Sequence, residues 1–189
     1  MASERGVERL LVVGSPASGK SEVARQMGEL LKLPVHHLDS LFYLPGWVDQ
    51  NDQRWSQTLN RVVMTDRWVI DGNFLDSLDW RLPRADAVIW LDYDRYETVR
   101  RVAGRMLEPH IATRDGLPAG CKESWSIDFL IFAWKFYVTQ RVQLSARLGT
   151  LADRQTLVHI TRPKDLRYFL RRYADRVRRR NLMLPGQVP

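Results

Sequence analysis

Residues 14–21 bring two glycines, a lysine and a serine together at a spacing suited to phosphate binding. They read Gly14-Ser15-Pro16-Ala17-Ser18-Gly19-Lys20-Ser21 and match G-x-x-x-x-G-K-[ST], the P-loop pattern. The glycines let the backbone curve so that consecutive N–H groups face a phosphate. Lys20 supplies a cation for the β- and γ-phosphates, and the Ser21 hydroxyl is a ligand for Mg²⁺. The pattern predicts that this whole segment binds a nucleoside triphosphate.

The residues on either side supply the strand and the helix that the pattern requires. An apolar segment at 10–13 precedes the loop, and apolar residues follow it at helical spacing, namely Val23, Met27, Leu30 and Leu31. A helix that begins near Gly19 adds the positive end of its dipole to the site. A chance match in an ordinary turn is the alternative interpretation, and these flanks argue against it.

Three aspartates stand at the ends of apolar segments that are typical of strands. They are Asp39 after 35–38, Asp71 after 68–70 and Asp92 after 87–91. The carboxyl ends of parallel strands meet at one edge of a sheet, where ligands bind. We predict that Asp71 holds Mg²⁺ directly or through water and that Asp39 orients the metal's waters or an acceptor hydroxyl. Both fit a turn or a cap as well, and Asp92 is interpreted as the N-cap of the next helix.

Arginines lie on both sides of a segment that resembles a loop. Arg101 and Arg105 are four residues apart and share a helix face, and Arg141 lies in a later helical segment. Between them, residues 109–121 contain two prolines and an Asp-Gly pair that break helices. Such arginines can close over a triphosphate and neutralise the transferring phosphoryl group. Ordinary surface arginines on amphipathic helices are the alternative.

The remaining pattern predicts the fold. Continuous apolar strands alternate with helices expected near 52–65, 95–107, 124–148 and 165–178, and a fifth strand is expected at 156–160. Strands without polar alternation, separated by helices, indicate a parallel sheet covered on both faces. We therefore expect one α/β domain with a five-stranded parallel sheet.

Charge is concentrated near the C-terminus. The chain has a net charge of +7, and residues 171–180 hold six arginines and one aspartate. A nucleic-acid contact and a solvated helix end are the two interpretations of this charge.

The sequence shows neither a secretory signal nor a membrane span. The N-terminus is polar. The apolar run 127–138 contains Asp128 and Lys135, is too short to cross a bilayer and indicates a buried helix. The single Cys121 excludes an intramolecular disulfide. We expect a cytoplasmic protein without a membrane partner.

Histidines and aromatic residues have mainly structural interpretations. The adjacent His36 and His37 point to opposite faces of a strand, and a structural role is favoured for them. Core positions are expected for Trp68, Trp90 and Trp134. The aromatic residues of 42–47 follow a strand end, where they either pack in the core or stack on an acceptor base.

Five passages occur in a recognisable order: GSPASGKS at 14–21, LDSLFYLPGW at 38–47, WVIDGN at 68–73, ADAVIWLD at 85–92 with RVAGR at 101–105, and GCKE at 120–123. In this order they resemble the adenylate kinase-like P-loop family, and within it the DNA topology modulation proteins. The resemblance implies a P-loop NTPase fold with a small lid. Residues 1–189 then form a single domain with a lid insertion at about 106–122 and a basic helix and tail at about 165–189.

The donor side of the family has clear counterparts here. The resemblance implies that Arg101 stacks on the ATP base and that Arg105 binds phosphate. Arg141 stands where an arginine after the lid contacts the transferring phosphate. Arg162 and Pro163 follow the last strand, where such kinases pack the adenine. The cofactors implied are ATP and Mg²⁺.

The acceptor side departs from the family. Asp71-Gly72 matches the strand end that supports Mg²⁺, but Asn73-Phe74-Leu75 replaces the Phe-Pro-Arg that grips an acceptor phosphate. LDSLFYLPGW at 38–47 replaces the acceptor helix with its early arginine. Arg81 and Arg84 are candidates to substitute as ligands of the acceptor phosphate.

The sequence therefore favours a phosphotransferase that moves the γ-phosphoryl group of MgATP to a nucleotide or another small acceptor. Catalysis would consist of positioning and charge neutralisation. A nucleic-acid-associated regulator that binds ATP is the main alternative, and a bare ATPase is a third hypothesis.

Overall fold

The computed structural model of the chain describes residues 6–107, 121 and 127–182. The lid predicted at 106–122 lies outside the described residues apart from 106, 107 and 121, as does the end of the predicted tail. Within the described part of the chain, no helix is long and apolar enough to cross a membrane.

The five predicted strands form one parallel sheet. They are β1 (Arg9–Gly14), β2 (Val35–His37), β5 (Trp68–Asp71), β6 (Ala87–Leu91) and β7 (Thr156–Ile160), and their order is β2–β5–β1–β6–β7. A separate antiparallel hairpin consists of β3 (Tyr43–Leu44) and β4 (Val48–Asp49). The α/β fold class with a five-stranded parallel sheet, expected from the sequence, is confirmed.

Helices cover both faces of the sheet. They are α1 (Lys20–Leu31), α2 (Leu38–Phe42), α3 (Asp52–Val63), α4 (Leu78–Arg81), α5 (Arg95–Leu107), α6 (Ile127–Lys135), α7 (Gln140–Leu148) and α8 (Pro163–Leu182), with short 3₁₀ helices at Leu75–Ser77 and Leu82–Arg84. The connection after β2 differs from the expectation, because β2 ends at His37 and Asp39 lies in the first turn of α2.

Strand β1 lies at the centre and contributes to both cores. Leu11 and Val13 belong to the core that includes residues of α3 and α7, whereas Leu10 and Val12 belong to the core under α1. All four side chains are at most 1% exposed. A strand that is buried on both faces has apolar side chains on both faces, so its sequence is a continuous apolar run and does not alternate with polar residues.

Residues 124–148, expected as a single helix, instead form two described helices. The first, α6, ends at Lys135, whose carbonyl accepts a hydrogen bond from the Thr139 hydroxyl at 2.9 Å. Thr139 has φ −113° and ψ −86°, outside the helical region, and α7 begins at the next residue. The helix is therefore interrupted where the β-branched Val138 and Thr139 disfavour helix.

The apolar run 127–138 is not a buried helix, and that prediction was wrong. Ile127 is 71% exposed and Val138 is 66% exposed, whereas Ala133 and Phe136 are fully buried. The helix packs along one face only, although its apolar residues surround it. Trp134 is 45% exposed and lies against the Arg95 guanidinium, while Trp68 and Trp90 are buried as expected.

The connection after β5 is organised by one buried cation. The Arg81 side chain is fully buried and its guanidinium donates to the carbonyls of Gly72, Asn73 and Phe74. Burial lowers the pKa of Arg81 to about 9. Because the N–H donors of this buried guanidinium are hydrogen-bonded to backbone carbonyls, the predicted role of Arg81 as a ligand of the acceptor phosphate was wrong.

Arg84 was also assigned wrongly to the acceptor phosphate. It lies just before β6, and its Nη2 donates to the carbonyl of Met64, which ends α3 before β5 begins. Both positions belong to the amino ends of parallel strands. That edge of the sheet is opposite to the edge where the P-loop leaves β1.

Replacing Arg81 by leucine should destabilise the fold by about 2 to 4 kcal/mol, because buried carbonyls lose their donor. Urea unfolding followed by circular dichroism measures the effect. Arg84→Leu is the matched control, because the hydrogen bond from Arg84 to the Met64 carbonyl is long at 3.4 Å and exposed to solvent. We expect this variant to lose less than about 1 kcal/mol. Equal losses in the two variants would contradict the assigned role.

Candidate active site

The P-loop leaves β1 through a glycine that no other residue can replace without a shift. Gly14 has φ +142°, and a Cβ atom there would lie 2.1 Å from the Leu91 carbonyl oxygen. Gly19, at the end of the loop, has φ +94° and is the N-cap of α1. The left-handed backbone at Gly19 directs the loop into the helix, as the pattern predicts.

Two side chains fix the loop to the neighbouring strands. The Asn73 side-chain amide makes two hydrogen bonds of 2.9 Å with Gly14, one from the Gly14 N–H and one to its carbonyl. On the other side, the Ser15 N–H donates to the Leu91 carbonyl and its hydroxyl to the Tyr93 carbonyl. The loop is therefore held between the ends of β5 and β6.

Lys20 folds back over the loop. Its Nζ donates to the carbonyls of Gly14 at 3.2 Å and Ser15 at 3.0 Å. Burial lowers the pKa of Lys20, and Arg105 lowers it further, while Asp39 and Asp71 act in the opposite direction. The ammonium group is thus close enough to all three charges to interact with them, and weak carbonyl contacts hold it where an anion can attract it.

Ser21 and Asp71 form a direct pair. The Ser21 hydroxyl donates to one Asp71 oxygen at 2.8 Å, and His37 Nδ1 is hydrogen-bonded to the other oxygen. Asp71 is 4% exposed. The two oxygen ligands predicted for Mg²⁺ are therefore adjacent, and His37 fixes the orientation of the carboxylate.

Asp39 lies close to this pair. Surrounding protein atoms desolvate its carboxyl group and raise the pKa of Asp39, Lys20 opposes this shift, and Asp71 reinforces it. The residue itself is open to solvent. A carboxylate that is accessible yet crowded by protein atoms fits the floor of an open cleft.

Arg101 contacts the P-loop directly. Its Nε donates to the Ala17 carbonyl at 2.8 Å, and its guanidinium lies 5.6 Å from the centre of the Tyr93 ring. Arg105, one turn later on α5, is partly buried. The fold thus places Arg101 against the P-loop, and Arg105 lies close enough to Lys20 to lower the pKa of that lysine.

Arg141 has a different environment. Its guanidinium makes two hydrogen bonds with Asp92, at 2.7 and 2.8 Å, and His159 Nε2 is 2.9 Å from the same carboxylate. This pairing raises the pKa of Arg141. A contact between Arg141 and a phosphoryl group stays a prediction, and it would require release from Asp92.

Asp92 is not the N-cap that the sequence predicted. The cap of α5 is made by Asp94, whose Oδ1 accepts a hydrogen bond from the Glu97 N–H at 2.9 Å.

Arg162 and Pro163 lie where β7 ends and α8 begins, and the Arg162 guanidinium is paired with the Asp165 carboxylate. A contact of Arg162 and Pro163 with adenine stays a prediction.

The side chains present at the site suit the binding of a nucleotide and a divalent ion. Ser18 Oγ, inside the loop, is buried and has no hydrogen-bond partner within the described chain. Such a hydroxyl suits a phosphate oxygen. The described residues contain no cluster of three or more His, Cys, Asp or Glu side chains able to hold a metal. The Ser21–Asp71 pair therefore suits an ion that takes its other ligands from water and phosphate, as Mg²⁺ does.

Sequence reasoning missed two contributors to this site. From the sequence, Asn73 is only a departure from a phosphate-binding pattern, whereas in the structure its side chain anchors Gly14. The sequence favours a structural role for His37, whereas in the structure it is hydrogen-bonded to Asp71. The signal for His37 is its place at the end of β2, which pairs with β5 and puts His37 opposite Asp71.

The fold and the P-loop geometry define an α/β P-loop NTPase. No family model matches the sequence, and no curated protein matches it. Among solved structures, a shikimate kinase from Acinetobacter baumannii in complex with shikimate is 14% identical, with 96% of this chain and 96% of that chain covered and a TM-score of 0.52.

Two further solved structures are similar. A shikimate kinase from Bacteroides thetaiotaomicron is 18% identical, covers 94% of this chain and 100% of its own, and has a TM-score of 0.49. A gluconokinase from Sinorhizobium meliloti 1021 is 19% identical, with 97% of this chain and 100% of that chain covered and a TM-score of 0.48. Of these three, the Acinetobacter baumannii structure, with a TM-score of 0.52, supports the fold assignment, and at 14% identity it supports nothing more.

Replacing Asn73 by alanine removes both hydrogen bonds to Gly14 and should loosen the loop. We expect ATP to bind about tenfold more weakly and the fold to lose about 1 to 2 kcal/mol. Calorimetric titration with MgATP measures the affinity, and urea unfolding measures the stability. Asn60→Ala, on the exposed surface of α3, is the control and should change neither. Unchanged ATP affinity in Asn73→Ala would show that the anchor is dispensable.

Proposed function

We propose that this protein is an ATP-dependent phosphotransferase that moves the γ-phosphoryl group of MgATP to a small acceptor. The observation that carries the proposal is Lys20 folded over the P-loop carbonyls next to the hydrogen-bonded Ser21–Asp71 pair. Asp39 and Arg105 lie close enough to influence the pKa of Lys20. A site built only to bind a nucleotide has no need of a second, solvent-accessible carboxylate beside the lysine. The coarse kinase assignment is supported by a fold shared with small-molecule kinases.

The chain's own residues suggest how the reaction is catalysed. The P-loop N–H groups and Lys20 bind and orient the phosphates, while Ser21 and Asp71 would hold Mg²⁺, which withdraws charge from the phosphate oxygens when bound. Arg101 stays against the P-loop and would orient the nucleotide. Arg105 would neutralise charge that develops on the transferring group.

Asp39 is proposed to act on the acceptor. Its carboxylate would accept a hydrogen bond from the acceptor hydroxyl and orient it toward the γ-phosphorus. The raised pKa of Asp39 makes the carboxylate a better proton acceptor than an ordinary aspartate. Closure of the predicted lid at 106–122 would exclude water and suppress wasteful hydrolysis.

The finer family assignment is part of the proposal. The adenylate kinase-like family, and its DNA topology modulation group, are favoured by the five sequence passages. Arg141, Arg162 and Pro163 are proposed to join the donor site in the ATP-bound state, and cytoplasmic location is the proposed setting.

The test is ADP release from MgATP with a panel of hydroxyl and phosphate acceptors. We expect turnover that depends on an acceptor, and a loss of about 100-fold or more in Lys20→Ala because a phosphate ligand is removed. Lys135→Ala, an exposed lysine of α6, is the matched control and should retain full activity. The same hydrolysis rate with and without every acceptor would leave a bare ATPase and reject the transferase.

One further observation favours the second function, a nucleic-acid-associated regulator. The apolar side of α8 packs on the core through Leu166, Phe169, Leu170 and Tyr173. Its opposite side is exposed and basic along the described length, with Lys164, Arg167, Arg171, Arg172, Arg176, Arg178 and Arg179. The exposed ring of Tyr168 lies among them, 5.5 Å from the Arg172 guanidinium. A largely basic face with an aromatic residue, interrupted by the exposed Asp175, suits a phosphate backbone.

This second function predicts salt-dependent DNA binding. The double variant Arg171→Glu with Arg178→Glu should reduce the slope of log K against log salt by about 2, because each phosphate contact contributes about 0.9. Fluorescence anisotropy of a labelled duplex measures the slope. Arg54→Glu with Arg61→Glu on α3 makes the same change in net charge elsewhere and should leave the slope unaltered. Identical slopes in both variants would exclude α8 as the contact surface.

A further inference from the structure

We propose that the acceptor is an uncharged molecule with a planar ring and a free hydroxyl, of the nucleoside class, and not a nucleoside monophosphate. The inference rests on the proposed function and names the substrate class of that site. It is carried by three features of the acceptor side. A wall of aromatic rings lies beside Asp39, the bordering segment 38–51 contains no basic residue, and both arginines of the bordering segment 72–84 are engaged elsewhere.

The aromatic wall consists of Phe42, Tyr43, Trp47 and Phe74. Their ring centres are 4.9 Å apart for Phe42 and Tyr43, and 5.2 Å apart both for Tyr43 and Trp47 and for Phe42 and Phe74. Trp47 is 38% exposed and the other three are partly buried. Phe42 and Phe74 also pack against the core through Trp55, so Trp47, the most exposed of the four, offers the most accessible ring. Planar ligands stack on accessible aromatic rings.

This wall lies beside the carboxylate that would receive the acceptor. Burial raises the pKa of Tyr43, and the negative charges of Asp39 and Asp49 add to the shift. Tyr43 follows directly on α2, which carries Asp39 in its first turn. A molecule stacked on the wall can therefore direct a hydroxyl to Asp39.

The segment that carries the wall has no positive charge. Residues 38–51 contain Asp39 and Asp49 and neither lysine nor arginine. A phosphate group on the acceptor would meet carboxylates there, and like charges disfavour binding.

The second bordering segment, 72–84, contains two arginines, and neither is available. Arg81 is fully buried and donates to backbone carbonyls. Arg84 is directed to the Met64 carbonyl at the opposite edge of the sheet.

Cys121 bounds the same region. Its Sγ accepts a hydrogen bond from the Trp47 N–H at 3.2 Å and donates to the Leu44 carbonyl at 3.4 Å. These contacts fix the hairpin of β3 and β4, which presents Trp47. The aromatic wall is therefore held in place rather than left as a loose loop.

The transfer itself is balanced by residues already described. The acceptor hydroxyl oxygen forms a bond to the γ-phosphorus, and the bond from that phosphorus to the β–γ bridging oxygen breaks. The bridging oxygen leaves with the electron pair as ADP, and the hydroxyl proton passes to the Asp39 carboxylate. The acceptor leaves as its phosphate monoester.

The experiment measures acceptor binding separately from transfer. The full chain is saturated with β,γ-methylene-ATP and Mg²⁺ and titrated in a calorimeter with nucleosides, their 5′-monophosphates and cyclic polyols without a planar ring. We expect one or more nucleosides to bind, and the matching 5′-monophosphates to bind about tenfold more weakly or worse because of charge repulsion. Trp47→Leu should weaken nucleoside binding about tenfold through lost stacking. Trp80→Leu, an exposed tryptophan on α4 beside α3, should not.

Three results would overturn the inference: a 5′-monophosphate that binds more tightly than its nucleoside, a polyol that binds more tightly than every nucleoside, or no binding by any compound of the panel. Failure of the proposed function looks different. Nucleosides that bind without any transfer from ATP would reject the phosphotransferase, whereas transfer to a 5′-monophosphate would retain it and reject only the acceptor class.

Discussion

The structure depends first on the parallel register of β1 between β5 and β6. Because Val12 pairs with Asp71 and Gly14 with Leu91, the chain turns into the P-loop beside a carboxylate on one side and a backbone carbonyl on the other. Gly14 has no room for a side chain there, and Asn73 and Ser15 tie the loop to both neighbours. Once this register is set, Ser21 meets Asp71 without further adjustment.

Charge is distributed unequally on the two sides of this edge. On the donor side, Lys20 and Arg101 donate hydrogen bonds to carbonyls of the loop, and Arg105 lies close enough to lower the pKa of Lys20. On the acceptor side, the buried Arg81 is committed to carbonyls, and aromatic rings take the place of cations. A buried charge is costly unless it is fully hydrogen-bonded, and Arg81 is therefore bound to the fold and not to a ligand. The described residues of this edge therefore place cations beside the P-loop, and the proposed acceptor side is lined by aromatic rings.

The sequence predicted those features that depend on local pattern. Strand positions, the sheet class, the P-loop and the pairing of Ser21 with Asp71 follow from apolar periodicity and from the rule that strand ends gather at one edge. It did not predict the break at 136–139, the exposure of Ile127 and Val138, or the roles of Asn73 and Arg81. Those depend on which neighbour each side chain meets across the fold, and a hydropathy pattern contains no such information. Asp94, and not Asp92, caps α5. The Asp92 carboxylate is hydrogen-bonded to Arg141, which lies 49 positions away in the sequence.

The most direct test of the account is whether Asp71 supports a divalent ion next to the nucleotide. Mn²⁺ replaces Mg²⁺ as an electron paramagnetic resonance probe, and its binding with ATP is measured in the wild type, in Asp71→Asn and in Asp79→Asn, an exposed aspartate of α4. We expect Asp71→Asn to weaken the ternary Mn²⁺ complex about tenfold or more, as loss of a metal-supporting group does, while Asp79→Asn binds as the wild type does. Equal affinity in Asp71→Asn would contradict the proposed metal site and, with it, the assignment of this edge to phosphoryl transfer.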